Sequence, residues 1–265
     1  MQFFPQILPN GVFQYPVRRN VQQRVIENIT PGGALYRRVD GGCGLLKWDL
    51  AFENIGTEQR HILAGFFEAC GGTLRPFVFL DPFQNLIRRS ESFDHTVWEK
   101  EPALVVETGQ VDHWGTLRAC RISNATNTSR LMAQRLTIPA WYPYCVSCWL
   151  RADTESTVEL TAHPVGSLAG ISLPVTTEWK RHSIVLRHQS SETELLAGLR
   201  LPANTEIYAF GFQLEQFETT SEYKRTEGES GIHANARFSD DEIRWVTNGV
   251  EHHSTQLSVQ APILP

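Results

Sequence analysis

The side chains best equipped for chemistry are thinly spread along this chain. Cys145 and Cys148 form the one close cysteine pair among five cysteines. A zinc or redox pair needs both sulfurs to converge, usually at a turn or a helix N-terminus. Here the surrounding alternation predicts a strand, in which positions i and i+3 face opposite ways. The pair is therefore expected to be inert, and the site to hold no metal and no cofactor. The nine histidines show no H-E-x-x-H spacing; His233, His252 and His253 read as surface residues. No serine sits in G-x-S-x-G, and no Gly-rich phosphate loop stands between a strand and a helix. Asp240-Asp241-Glu242 reads as a solvated acidic turn. Paired carboxylates for glycoside cleavage are defined by their separation in space, and nothing in the order of residues points to such a pair. No catalytic residue is assigned and the chain is not read as an enzyme.

The elements that would position any site are mostly strands. Leu46, Trp48, Leu50 and Phe52 alternate with Lys47, Asp49, Ala51 and Glu53, the pattern of a half-buried antiparallel strand. One helix follows. Thr57 is the expected N-cap and Glu58 an acid in the first turn. Ile62, Leu63, Phe66, Phe67 and Cys70 form its apolar stripe, and Gly71-Gly72 ends it. Phe77 and Phe79 predict a further strand before Asp81-Pro82. Turns are expected at Pro9-Asn10-Gly11, Thr30-Pro31-Gly32-Gly33 and Asp40-Gly41-Gly42.

From residue 87 to 233 the sequence reads as all-β, with strands at 144–151, 157–163, 180–186 and 207–214 and no convincing helix. The last of these carries Tyr208, Phe210 and Phe212 in alternation. Residues 234–265 break the pattern, with Ala236-Arg237-Phe238 and then Asn248-Gly249 as a hairpin signal between two strand-like runs. Two strands alone are marginal in water, so this ending needs the unfinished strands of the first segment.

Composition narrows the function classes. The 265 residues are 41% hydrophobic and 20% charged, enough for sizeable cores. Net charge is -5, divided as +1 over 1–86, -4 over 87–233 and -2 over 234–265, with no charge run. Binding to nucleic acid through bulk charge is not expected. No apolar run is long enough for a membrane span, and Met1 to Tyr15 lacks the basic and apolar regions of a signal peptide. An odd, widely spaced set of cysteines fits reduced thiols and assembly in a cytoplasm.

Two stretches resemble known families. Trp48-Asp49-Leu50-Ala51-Phe52, the Phe-Phe helix, Gly71-Gly72 and Phe77-Val78-Phe79-Leu80-Asp81-Pro82 resemble the N-terminal belt domain of phage distal tail proteins. The ending Ala236-Arg237-Phe238-Ser239-Asp240-Asp241 with its closing hairpin is similar to the last strands of that domain. Between them, Asn85-Leu86-Ile87, Ser90-Glu91-Ser92-Phe93 and Trp98 resemble the opening of the carbohydrate-binding-like jelly rolls of phage tail proteins. Tyr144 to Ala152, Glu178 to Arg181, and Gly211 to Glu215 followed by Ser221-Glu222-Tyr223 and Thr226 look like their later strands and closing turn. The fold so implied is mainly β: a discontinuous belt domain of strands with one helix, built from 1–86 and 234–265, and an inserted β-sandwich at 87–233.

The same resemblances imply a structural virion protein at the tail tip, a ring-forming hub between tail tube and tail tip proteins, in that family typically a hexamer. A second reading is a free-standing adhesion protein whose jelly roll binds host glycans. Glycan binding needs an exposed aromatic surface to stack on the C–H face of a pyranose, with polar groups for its hydroxyls. Trp149 and Arg151, on the polar side of their strand, Trp114 in the Asp112-His113-Trp114-Gly115 turn, and Gln213, opposite Phe212, are the candidate carbohydrate-binding residues. If Trp149 is buried, Trp114 takes its place. A glycoside hydrolase is a third reading, and it lacks a carboxylate pair.

Overall fold

The computed structural model describes residues 1–7, 12–40, 44–167 and 170–263. The chain divides into two compact units: a split unit of Met1–Phe79 with His233–Pro265, and a sandwich unit of Leu80–Ile232. Residues 80–86, read from sequence with the first segment, belong to the sandwich unit. Asn85 holds them there: its Nδ2 donates to the Phe212 carbonyl at 2.8 Å and its Oδ1 accepts from the Ile87 and Leu214 amides, each at 3.0 Å. The sandwich unit's ends are laced together, Asp81 N–H to the Gly231 carbonyl (2.7 Å) and Gly231 N–H to the Asn85 carbonyl (2.8 Å). Adjacent ends are what let a folded unit sit inside another chain's loop.

The split unit opens with β1 (Arg18–Gln22), β2 (Val25–Ile29), β3 (Leu35–Val39), β4 (Leu45–Ile55), α1 (Thr57–Cys70) and β5 (Phe77–Leu80). It closes with three late strands, numbered β16 to β18 below. The turn expected at 30–33 joins β2 to β3, with Gly33 at φ 84°. The turns expected at 9–11 and 40–42 fall wholly or mainly outside the described residues.

Helix α1 starts one residue earlier in its capping than the sequence implied. Gly56 is the N-cap, Thr57 is already helical, and the Gln59 side chain accepts from Gly56 N–H at 2.7 Å. The Glu251 carboxylate accepts from Thr57 N–H at 2.8 Å, a favourable anion at a helix N-terminus. Gly71 ends the helix at φ 64°, ψ 48°, a left-handed conformation that a Cβ disfavours. Leu63, Phe67 and Cys70 are buried, Phe66 is half-buried, and Ile62 is exposed. The core-facing stripe is thus narrower than its periodicity.

In the sandwich unit the strands are β6 (Glu99–Lys100), β7 (Leu104–Gln110), β8 (Ala119–Asn124), β9 (Arg130–Leu136), β10 (Tyr144–Arg151), β11 (Ser156–Pro164), β12 (Ile171–Val175), β13 (Lys180–Leu186), β14 (Leu195–Leu201) and β15 (Thr205–Glu215). They form two five-stranded antiparallel sheets, ordered β13-β10-β15-β8-β7 and β12-β11-β14-β9-β6. Val146, Cys148 and Leu150 of β10, Ile122 of β8, Phe212 and Leu214 of β15, and Leu160 and Leu199 of the other sheet are all buried. That is the alternating inward face of a β-sandwich.

The chain then returns to the split unit as β16 (Ile232–Phe238), β17 (Trp245–Gly249) and β18 (His252–Pro262). The hairpin turn between the last two falls at Val250-Glu251, not at Asn248-Gly249. A register shift between Thr247 and Gly249 draws both signal residues into the strand. β18 pairs along nearly the whole of β4, from His253↔Ile55 to Pro262↔Leu45, in a sheet ordered β1-β4-β18-β16-β5. Trp48, Leu50, Phe52, Leu257, Val259 and Phe238 are buried in this unit. Phe4, Phe66, Phe77, Phe79 and Phe238 pack edge-on or tilted with centroids about 5–7 Å apart, the preferred aromatic geometry. Among the described residues no helix is long and apolar enough to cross a membrane.

A candidate aromatic binding surface

The four residues singled out from sequence lie in the sandwich unit, on or beside the outer side of the β13-β10-β15-β8-β7 sheet. The structure sorts them differently from the sequence. Trp149 pairs with Arg181 on β13 and with Phe210 on β15, so these three side chains share a face. One strand position later the register slips between Ser147 and Trp149. Gly211 makes the slip possible. Its φ is 65°, and an added Cβ would lie 3.1 Å from the Trp149 ring and 3.2 Å from Tyr223. The bulge sends Phe210 outward and Phe212 inward, where strict alternation puts both on one side.

An aromatic cluster results. Trp149 stacks on His113 at 4.6 Å and 14°. Trp114 meets His113 at 3.9 Å, Phe210 edge-on at 5.2 Å and Trp149 at 5.7 Å. Tyr223 closes on Trp149 at 5.5 Å and Phe210 at 5.7 Å. Two arginines border it. Arg181 lies 4.5 Å from the Trp149 centroid, and Arg118 5.1 Å from Trp114, within cation–π range. The ring left most open is Trp114, 52% exposed. Trp149 is half-buried, and its ring surface is largely taken up by His113 and Arg181.

Two sequence expectations need correction. Gln213 is fully buried and its amide is spent internally: Oε1 accepts from Lys224 N–H at 2.7 Å, and Nε2 donates to the Glu222 carbonyl at 3.2 Å. It fixes the 221–224 segment and meets no ligand. Arg151 does not join Trp149. Its guanidinium lies 4.3 Å from the Tyr208 ring centroid and 3.1 Å from the Asp153 carboxylate. The expected two-residue platform of Trp149 and Arg151 is replaced by Trp114 over Trp149. Sequence order hid His113, Phe210, Tyr223, Arg118 and Arg181 from this surface. The signal within reach was Gly211, whose place amid a β run marks a bulge.

Trp114 is carried by a tightly bonded turn. Asp112 is buried, and its Oδ1 accepts from the Trp114 amide at 2.8 Å and the Thr116 amide at 3.0 Å. Its Oδ2 accepts from the Thr116 hydroxyl and lies 3.4 Å from Arg118 Nε. Arg118 also reaches the buried Glu91 carboxylate at 3.3 Å. Burial alone would raise the Asp112 carboxyl, but the Thr116 and Trp114 hydrogen bonds and the Arg118 charge outweigh it and hold it below its ordinary value. At Glu91 burial wins over Arg118 and Arg225, and its carboxyl titrates above the ordinary range. At Glu215 burial is outweighed by the bonds from Lys224 and Ser221, and the carboxyl is held low. Burial holds His113 below its ordinary value.

Cys145 and Cys148 are both buried on opposite sides of β10, and burial pushes their thiols up to about 11 and about 12, away from the thiolate form that reacts. Among the described residues no group of three or more His, Cys, Asp or Glu converges as a metal site. In the split unit a groove of about 880 Å³ is lined by Glu53, Asp240, Asp241, Glu242 and Arg244, among others. Its acids Asp240, Asp241 and Glu242 are exposed, as read from sequence; Asp241 accepts from Thr73 N–H at 2.8 Å and its hydroxyl at 2.7 Å, and Glu242 pairs with Arg244 at 2.9 Å. His253, expected at the surface, is buried between Thr57 and Thr247, whose hydroxyls lie 3.1 and 3.0 Å from its ring nitrogens.

No family model and no curated protein sequence matches this chain. Solved structures are similar over part of the chain, each with a TM-score below 0.5. The enzymatically active domain of tailspike protein 4 of bacteriophage CBA120 is 12% identical with a TM-score of 0.40, over 51% of this chain and 22% of that one. The CBM22-1 xylan-binding domain of Paenibacillus barcinonensis Xyn10C is 12% identical with a TM-score of 0.42, over 54% of this chain and 99% of that one. TmCBM61, solved with β-1,4-galactotriose, is 18% identical with a TM-score of 0.38, over 50% of this chain and 98% of that one.

Proposed function

We propose that the protein is a structural component of a tailed-phage particle whose sandwich unit binds glycans and whose split unit assembles with further copies into a ring at the distal tail. The observation that carries the glycan reading is Trp114: a tryptophan half open to solvent, on a rigid turn, over a cluster of rings. An indole so held offers a flat apolar surface to a pyranose C–H face, and the polar atoms of the turn border it. The contact is a shallow surface, so a single unit binds weakly and several copies supply avidity. No catalytic step is assigned.

The ring reading is supported by the order of motifs along the split unit and by its β2–β3 hairpin. On one face of that hairpin Val25 sits opposite Val39 and Ile29 opposite Leu35, and all four are exposed, Ile29 at 73%. The Glu27–Arg37 ion pair (2.8 Å) lies between them on the same face; exposed apolar pairs flanking an ion pair suit contact with another copy at the tail tip, beside tail tube and tail tip proteins.

The test has two arms. The purified protein is screened on a glycan panel that includes xylan and β-1,4-galactotriose, alongside Trp114→Ala; binding that this variant loses supports the reading, and a panel with no binder sinks it. Mass photometry and negative-stain imaging read the ring. A monomer at every concentration leaves a free-standing adhesion protein instead.

A further inference from the structure

The surface just described depends on a residue that touches no ligand. We infer that Asp112 is the positioning residue for Trp114: its carboxylate fixes the 112–116 turn so that the indole is held ready for a sugar before one arrives. This rests on the glycan-binding reading of Trp114.

The geometry points there from several directions. An exposed tryptophan on an ordinary loop samples several rotamers and must be immobilised on binding, which weakens affinity. Here the backbone on both sides of the ring is pinned to one carboxylate. Trp114 N–H and Thr116 N–H both donate to Oδ1, and the Thr116 hydroxyl donates to Oδ2. The turn is closed again by its own backbone, Asp112 N–H to the Thr116 carbonyl (2.8 Å) and Gly115 N–H to the Asp112 carbonyl (3.0 Å). Gly115 takes φ 80°, so the reversal costs no Cβ strain. Asp112 is 2% exposed while Trp114 is 52% exposed: the anchor is in the protein and the ring is in solvent.

The same carboxylate orders the ring's neighbour. Arg118 Nε lies 3.4 Å from Asp112 Oδ2 and donates to the Thr116 hydroxyl at 2.9 Å. Its Nη1 reaches Glu91 at 3.3 Å. Held between two buried acids, the guanidinium sits 5.1 Å from the Trp114 centroid and 5.2 Å from Phe210. The indole is thereby backed by a fixed cation, and a sugar stacks on the side left open.

The test uses the whole chain with 5-fluorotryptophan in place of tryptophan, the Trp114 resonance being assigned with Trp114→Phe. Without ligand, the wild-type Trp114 line should be displaced from that of a free indole by its ring neighbours. Asp112→Ala should collapse that displacement. Asp112→Asn retains an acceptor for the Trp114 and Thr116 amides and should restore most of it; Thr116→Val, a milder change, should shift it partway. Cellotetraose, whose equatorial rings present flat C–H faces, is the binding probe. Asp112→Ala should weaken it by about tenfold, Asp112→Asn by less than about threefold, and Asp112→Ala with Trp114→Ala should be no weaker than Trp114→Ala alone, since a positioning residue has no effect once the ring it positions is gone. An unmoved fluorine line in Asp112→Ala, or additive losses in the double variant, overturns the inference. If the wild type binds no glycan, the fluorine result still decides whether Asp112 fixes the ring, and only the glycan reading falls.

Discussion

The split unit and the sandwich unit are both built mainly of antiparallel strands, yet they are held together differently. The split unit is completed from the far end of the chain: β18 supplies the neighbour of β4, with registered pairs near 200 residues apart such as Thr255↔Phe52 and Leu257↔Leu50. The sandwich unit is continuous, and its ends meet at Asp81 and Gly231. The split unit leaves the apolar pairs of its β2–β3 hairpin in solvent around the Glu27–Arg37 ion pair, whereas the sandwich unit buries several ionisable groups, among them Glu215 and His163, each 1% exposed.

The sharpest way to break the comparison is to remove β18. A chain ending at residue 251 should lose the split unit's fold, while residues 80–232 expressed alone should show cooperative all-β unfolding by circular dichroism. A folded split unit in the truncated chain would show that the late strands are decoration. Next in size is Trp48→Ala, which removes a fully buried indole and should destabilise the split unit by about 3–5 kcal/mol. In calorimetry one transition should fall and the other stay. Gly211→Val tests the other unit: strained φ and a Cβ 3.1 Å from Trp149 should cost about 1–3 kcal/mol and alter the near-ultraviolet signal of the aromatic cluster.

Acid should separate the units by pH. Burial depresses the pKa of His113, His163 and His182 below 6.5, so the folded sandwich favours their neutral forms. Their contribution is complete above pH 6.5 and is lost as pH falls below it toward the depressed values. Glu215, held below 4.5, adds a second loss as pH falls from 4.5 through its folded value. In the split unit the shifted carboxylates are exposed ones, Asp241, Glu242 and Glu251, whose effect is screened and confined to pH below 4.5. The sandwich transition should therefore begin to fall near neutral pH and the split unit's well below it; parallel curves would refute the contrast. The smallest effect on stability belongs to Trp114→Ala, less than about 0.5 kcal/mol at an exposed position, and it should still weaken glycan binding in a direct titration.

Strands β4, β10 and β13 and helix α1 were legible because periodicity reports which side a residue buries, and burial of apolar area is the largest local signal a sequence carries. The Asn248-Gly249 turn was misplaced because pairing with a long β18 outweighs a dipeptide's turn preference. His253 was misread as a surface residue because its burial depends on Thr57, far away in the chain.

What the residues determined by themselves is therefore the class: two β regions with a helix in one, and tryptophans as the candidates for contact. Only the tertiary structure decided which tryptophan faces solvent. A single bulge at Gly211 reverses which side each following residue of β15 presents, and the 221–224 segment that Gln213 bonds covers that side chain on the outer side. Arg151 turns to Tyr208 and Asp153, and a buried carboxylate holds Trp114 over Trp149. Alternation is a rule about neighbours in sequence; a binding surface is made by strands and loops that are neighbours in space.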